Sequence, residues 1–395
     1  MNQRLLALLL LSSATAMAQS ATADEPAPSE MPSNLTFDTD LYFVEPKLTL
    51  SFGARGLSGT KSSFRGSGKL ESSLDVNGPA GTMRTYHDGA VGPDTRSNTI
   101  DNGDGTTTSE PIAPDGKTDN WRFDSDKQAV DPGIAMHTYQ AEILDTGPKN
   151  KDPGSTYGLE VSVARDMGKI FRFDWNVIAG LSINDINSKL TSTQQARITT
   201  LTDLYSLNGQ APPPAPYNSQ APPTPETITN PDGTTTDVTT DTTTLLPTDY
   251  LGRDVTTVTD TTNVTNHFSL KGAYFTLRAG PTLILPLGRF HATVSAGAAI
   301  VYAGTTYSVQ QDFQPETGSL ITLTEQNSDT KLLPGFYADA NLEFWLTERS
   351  GLYLGALYQN SGSFTQNLTT IASNYSTKVD LTSLTGFKMG MNVRF

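Results

Sequence analysis

Only four of the 395 residues are His: His87, His137, His267 and His291. Imidazole is the side chain whose ordinary pKa lies nearest neutrality, so acid–base chemistry would be sought there first. His267 has Asp254 and Asp260 upstream, and a His–carboxylate pair is the minimum for activating a hydroxyl or a water. The Thr- and Val-rich sequence between them gives that pair no fixed geometry. His291 falls on the polar side of an alternating segment and reads as a hydrogen-bonded filler. His87 and His137 lie in one long connecting segment. The absence of Cys removes thiolate catalysis, disulfides and Cys-ligated metals together. Two acidic glycine turns, Asp101-Asn102-Gly103-Asp104-Gly105 and Asn230-Pro231-Asp232-Gly233, each run into three threonines. Their oxygens suit calcium, but the full D-x-[DN]-x-[DN]-G spacing is missing, and Asp-Gly pairs favour tight turns. No phosphate-binding glycine loop, dinucleotide fingerprint or HExxH motif occurs. The expectation is a protein with no catalytic residues, no metal and no cofactor.

A second set of side chains follows a different logic. Arg55, Glu160, Arg172, Asp174, Arg278, Asp339, Glu343, Lys388 and Arg394 each sit on the polar side of a segment that alternates apolar and polar residues. Gathered into one narrow interior, five cations and four anions would have to pair, because an unpaired buried charge costs several kcal/mol. The segments that carry them show what the interior would be.

Alternation with period two marks a strand with unlike faces. In 386–395 it puts Phe387, Met389, Met391, Val393 and Phe395 on one side and Lys388, Asn392 and Arg394 on the other. A strand with a greasy outside and a charged inside suits a closed barrel in a bilayer, where apolar side chains meet lipid and polar ones face the lumen. The same pattern recurs in 47–56, 157–165, 171–183, 271–285, 290–302, 336–346 and 352–358. With 386–395 the count is eight, an even number as a single-chain bacterial barrel requires. A further segment, 134–143, would raise it to ten if it paired with part of 60–76. Pro281 interrupts the fourth strand and reads as a bulge, since it cannot donate to a ladder. Tight connections, the first of them Asp166-Met167-Gly168-Lys169, alternate with long ones at 57–156, 184–270, 304–333 and 361–381. Periplasmic turns and extracellular loops of such barrels differ in this way. Aromatic residues gather at the strand ends: Tyr157, Tyr302, Phe336 and Tyr358 at one level, Phe171, Phe290, Phe344 and Phe395 at the other.

Residues 1–18 read as an export signal, with Arg4, an apolar run from Leu5 to Leu11 and an Ala16-Met17-Ala18 cleavage site. Residues 19–46 read as an acidic periplasmic lead-in, and 47–395 as the barrel. A formal charge of −14 argues against nucleic acid as a partner. The 184–270 loop splits into a Pro-rich part around Pro212-Pro213-Pro214 and a Thr/Asp-rich part from Thr234 to Thr265. Such composition suits a mobile, solvated, acidic brush.

Signal, eight amphipathic strands and terminal Phe395 together resemble the small outer-membrane barrels of Gram-negative bacteria, the OmpA-transmembrane and OmpX type. The stretch Arg84-Thr85-Tyr86-His87-Asp88-Gly89-Ala90-Val91, with Trp121, also resembles loop segments of barrels from verrucomicrobia-like bacteria. The resemblance implies residence among outer-membrane lipid and lipopolysaccharide, and insertion by the barrel-assembly machinery reading Phe395 as its signal. Two departures are expected: no peptidoglycan-binding domain follows the barrel, and the loops are far longer. The function expected is structural and surface display, with loop-mediated interactions and a lumen plugged by the charge network. A narrow porin-like channel is the alternative, and a lipid-modifying barrel enzyme a third reading.

Overall fold

The computed structural model describes residues 47–70, 76, 78–219, 226–229, 235–238, 244–260 and 264–395. The expected export signal and lead-in lie outside them. Eight long antiparallel strands close on themselves: β1 (Leu48–Leu70), β2 (Lys149–Ile170), β3 (Phe173–Thr193), β4 (Val264–Leu287), β5 (Phe290–Phe313), β6 (Ile321–Trp345), β7 (Ser350–Asn360) and β8 (Leu384–Arg394). Each pairs with the next, and β1 pairs with both β8 and β2, so the order is a ring. Phe395 donates its N–H to the Leu48 carbonyl at 2.9 Å and accepts the Leu48 N–H at 3.3 Å, which joins the start of β1 to the end of β8 at one rim.

The strands are longer than the alternating segments, and their pattern reverses part-way. On β5 the outward positions run Phe290, Ala292, Val294, Ala296, Ala298, Ile300, Tyr302 and then Thr306, Ser308, Gln310 and Asp312, while inward ones run Thr293 and Ser295 and then Val301, Ala303, Tyr307 and Val309. On β4, Leu277, Ala279 and Leu283 face out and Thr276, Arg278 and Thr282 face in; further along, His267, Ser269 and Lys271 face out and Phe268, Leu270 and Tyr274 face in. β3 follows suit, with Val177 to Ile183 outward and then Asp185, Asn187 and Lys189. Near the tight turns the ring is greasy outside and polar inside. Toward the long loops it is polar outside and greasy inside. Expected loops 57–156, 184–270 and 304–333 therefore begin later than the alternation suggested, because the strands continue with their faces exchanged.

Three local expectations change. Asp166-Met167-Gly168-Lys169 is not a turn: β2 runs on to Ile170, with a register shift between Asp166 and Lys169 and Gly168 at φ 100°. The turn is Phe171-Arg172, with Phe171 at φ 55° and almost fully exposed. Pro281 makes no bulge; the β4–β5 ladder lapses at Gly280 and Pro281 and resumes at Thr282↔Ser295 in the same register. Finally, Gly133–Ile143 is a strand and pairs with Gly68–Leu70 as expected. Its other edge then adds Ala196–Ser206 and Gly252–Asp260, a side sheet that leaves the ring at eight strands.

Above the ring the long segments pack. Tyr86, Val91, Trp121, Phe123, Ile134 and Met136 share a core with Leu201, Tyr205, Leu207 and Leu246. Trp121 stacks on Phe123 at 5.7 Å and donates its indole N–H to the Thr244 carbonyl at 2.7 Å. The mobile-brush expectation therefore fails for these stretches. Residues 220–225, 230–234, 239–243 and 261–263 of the same loop lie outside the described residues. A hairpin of Ser363–Thr369 and Ser373–Asp380 pairs with Lys61–Gly68 of β1 and sends Phe364, Leu368, Tyr375 and Val379 into the ring's apolar half.

The faces can be tested on β5. Ala296→Arg, outward in the greasy belt, should cost ~2–4 kcal/mol of stability in a bilayer. Thr293→Ser, inward and keeping the hydroxyl that accepts from Asn341 at 3.0 Å, should be nearly silent. Equal unfolding shifts in lipid would contradict the assignment of faces.

Candidate functional site

In the polar half of the ring, five charged side chains from five strands meet. Arg55 (β1) donates to Glu160 (β2) at 3.3 Å, to the Ser182 hydroxyl (β3) at 2.6 Å and to Gln359 (β7) at 2.8 Å. Arg278 (β4) uses one guanidinium nitrogen for Glu160 and the other for Asp339 (β6). Lys388 (β8) lies 3.1 Å from Asp339 and 3.8 Å from Glu160. All five are buried. Taking such charges out of water is costly and is offset only when each is paired and hydrogen-bonded. Neutral partners add to the set: Asn341 donates to Asp339 at 2.9 Å, and Gln359 donates to Ser361 at 2.9 Å and Thr276 at 3.2 Å. The excess cation is spread over rings, with Arg278 4.8 Å from the Tyr337 centroid and Lys388 5.9 Å from that of Tyr353. Small residues make room. A Cβ on Gly53 would fall 2.3 Å from the Tyr353 hydroxyl, and one on Gly180 3.1 Å from Arg278 Nε.

The remaining four expected members stand apart. Arg394 lies 3.6 Å over the Trp345 ring, with a nitrogen 3.5 Å from His291 Nδ1. Glu343 lines the same small polar cavity, about 50 Å³, that Arg394, Lys388 and Glu160 line. Asp174 is 3.9 Å from exposed Lys169, toward the rim. Arg172 is in the turn, exposed, 5.4 Å from the Phe173 ring. Its displacement follows from the turn lying later than expected. Ser182, Asn341 and Gln359 were missed as network members, although the alternation already puts them on the inward face.

The cavity is small. At about 10–15 Å³ of such space per water, 50 Å³ holds only a few molecules. Above the charges comes the apolar half, where Phe64 stacks on Phe268 at 5.3 Å and Tyr307 lies 6.0 Å from Phe64.

The histidines occupy two further polar clusters. Thr191 Oγ1 lies 3.0 Å from His267 Nδ1, and His267 Nε2 3.0 Å from Asp312, on the outer face of β3, β4 and β5. Among the described residues Asp312, rather than Asp254, is thus the carboxylate of that pair, and the Asp260 side chain lies outside them. Thr191 sits within an unbroken ladder on a β-branched stem, which leaves its hydroxyl little reach. His137 Nδ1 is 2.5 Å from buried Asp88, which also accepts from the His137 N–H at 2.7 Å and from Thr317 at 2.6 Å. Tyr139 joins through Thr317 at 2.6 Å, and burial pushes its phenol up to about 12. Nearby, Arg253 grips Asp203 with bonds of 2.7 and 2.6 Å, and Tyr86 donates to Asp203 at 2.6 Å. Burial first, then that bond, raise the Tyr86 pKa, and the Asp203 bonds raise that of Arg253. These clusters staple the long segments to one another. The expected calcium-like turn at Asp101–Gly105 is a hairpin turn whose carboxylates cap it: Asp101 accepts from the Gly103 N–H and Asp104 from the Thr106 N–H, both at 2.9 Å. Its counterpart at 230–233 lies outside the described residues.

No family profile and no curated protein matches the chain. Among solved structures it is similar to the outer membrane protease OmpT from Escherichia coli, at 8% identity over 92% of this chain and 99% of that one, with a TM-score of 0.28. It is also similar to Ail, the attachment invasion locus protein of Yersinia pestis, at 8% identity over 86% and 99%, TM-score 0.18. A third is a Pseudomonas aeruginosa FadL homologue, at 9% identity over 88% and 90%, TM-score 0.18. Overlaps this slight carry no argument, and the architecture rests on the ladders themselves.

Glu160→Ala removes the carboxylate shared by Arg55, Arg278 and Lys388, and should destabilise the fold by ~3–5 kcal/mol. Arg172→Ala should leave the unfolding midpoint in detergent where it was. Equal midpoints for the two variants would mean that the five charges are not a coupled unit.

Proposed function

We propose that the ring is an eight-stranded outer-membrane β-barrel of the small OmpA/OmpX type, exported by residues 1–18. Its role is structural and surface display: a plugged, non-catalytic stem carrying a folded module outside the cell. The observation that carries this reading is the reversal of strand polarity. From Phe290 to Tyr302 the outward face of β5 is apolar; at about 3.3 Å per residue and a tilt of about 40°, that run is roughly 30 Å tall. The apolar band of such barrels is about 25 Å. Leu48, Phe52, Leu159, Val161, Leu181, Leu277, Leu342, Leu354 and Met389 continue it around the ring, each exposed. A soluble protein would not leave so wide an apolar surface open. Lipid is the neighbour that removes the cost.

The tight turns then face the periplasm, and the packed module faces the medium. On this reading Phe395 lies at the periplasmic rim and is the signal read by the barrel-assembly machinery. Lipopolysaccharide surrounds the upper belt. A charged layer under an apolar layer argues for a closed lumen: ions meet buried, paired charges, and water meets packed rings. Purified barrels in planar bilayers should therefore give no steady conductance steps. Reproducible steps of one size would overturn the plugged lumen in favour of the narrow channel.

A further inference from the structure

The β2–β3 hairpin overhangs its neighbour at the tight-turn rim. β1 pairs with β2 from Phe64↔Lys149 down to Leu48↔Arg165, and the Asp166 N–H still donates to the Lys47 carbonyl at 2.9 Å. β2 then runs on to Ile170 before the turn at Phe171-Arg172, and Met167–Ile170 has no strand on the β1 side among the described residues. Met167, Ile170 and Phe171 are exposed on this overhang. Apolar side chains around a strand end suit the boundary where lipid tails give way to headgroups.

Two arginines share the outward side of the overhang. Register puts Arg165 there: it pairs with Leu48 on one strand and Val177 on the other, both exposed members of the apolar belt. Arg172 holds its guanidinium carbon 5.4 Å from the centroid of the Phe173 ring, and Phe173 shares a face with Trp175 and Val177. The hairpin's carboxylates are turned the other way. Asp166 pairs with Asn176, and Asp174 with buried Ile284, on the inward side. No other charged residue stands at an outward position of the belt's ladders among the described residues. A cation facing lipid is costly at the midplane and nearly free where headgroups begin.

Ion pairing sharpens the contrast. Arg65, Arg84, Arg96, Arg197 and Arg253, all outside the belt, each lie within 3.1 Å of a carboxylate. Arg165 and Arg172 make no such pair among the described residues, in a chain whose formal charge is −14. Two outward cations, free of protein carboxylates and flanked by apolar side chains, match one kind of neighbour: an anion that carries tails. A guanidinium offers phosphate oxygens parallel donors.

We infer that the overhanging end of the β2–β3 hairpin seats an anionic phospholipid, with Arg165 and Arg172 on its phosphodiester and Met167, Ile170 and Phe171 beside its tails. The inference rests on the lipid-facing reading of the belt and deepens it: the tight-turn rim selects the charge of the lipid around it.

The full chain is reconstituted in nanodiscs of phosphatidylcholine and phosphatidylglycerol in equal amounts, and the lipid retained per protein is read by native mass spectrometry. The wild type should retain phosphatidylglycerol about tenfold over phosphatidylcholine. Joint Arg165→Gln and Arg172→Gln should lower that ratio about fivefold, and Arg165→Lys with Arg172→Lys should keep part of it. Arg122→Gln, at an exposed arginine of the packed module, should leave the ratio unchanged. All of these positions are exposed, and a heat-induced gel-mobility shift verifies folding. Equal ratios for the wild type and the double Gln variant would overturn the inference. So would an equal loss in Arg122→Gln, or loss of the preference on adding inorganic phosphate alone. A chain that inserts but retains both lipids alike contradicts this seat only; one that does not insert contradicts the lipid-facing reading.

Discussion

On the lipid-facing reading proposed above, β3, β4 and β5 each pass between two solvents, and that constraint organises the rest. A backbone ladder can close its hydrogen bonds in lipid or in water, but side chains cannot suit both. The strand meets the change by exchanging its faces. Below Tyr302 the outward side chains of β5 are Val294, Ala296 and Ile300; above it they are Thr306, Ser308 and Gln310. The hydrophobic effect acts on both halves, outward in one and inward in the other.

The exchange decides what fills the ring. In the lower half the interior must be polar, because apolar side chains are needed outside, and a narrow polar interior cannot hold unpaired charges. Arg55, Glu160, Arg278, Asp339 and Lys388 pair with one another there, with Ser182, Gln359 and Asn341 adding neutral partners, while Arg55 Nε and Arg278 Nε are left without one among the described residues. In the upper half the interior is an ordinary protein core, and the 363–380 hairpin supplies part of it from above. A ring this narrow is filled by its own side chains.

Much of the lower half was legible in the sequence because its strands alternate simply, with apolar side chains outward and polar ones inward. Lys388 alternating with Phe387 and Met389, or Arg278 with Leu277 and Ala279, gives strand, face and pairing need at once. The upper half was hard to read for the same reason. Phe268, Leu270 and Tyr274 alternate just as well, but against Ser269, Lys271 and Ala273, and a reader following the greasy outer face loses the strand where the faces exchange. Arg172 was misplaced because the bulge at Asp166–Lys169 contains Gly168 and looks like a turn. The packed module above the ring could not be read from composition. Its core draws Tyr86, Trp121, Tyr205 and Leu246 from segments far apart in the chain, each with Thr and Asp close by in sequence. Only the partners, not the local sequence, make those residues core.

The exchange of faces is tested most directly by spin labels placed one at a time along the outer face of β5, with collision rates measured against oxygen and a water-soluble nickel chelate in lipid bilayers. Labels at Ala292, Val294, Ala296, Ala298 and Ile300 should meet oxygen and be shielded from nickel. Labels at Thr306, Ser308 and Gln310 should show the reverse, with the crossover near Tyr302. Nickel access at every position, or no crossover along the strand, would contradict a belt that faces lipid.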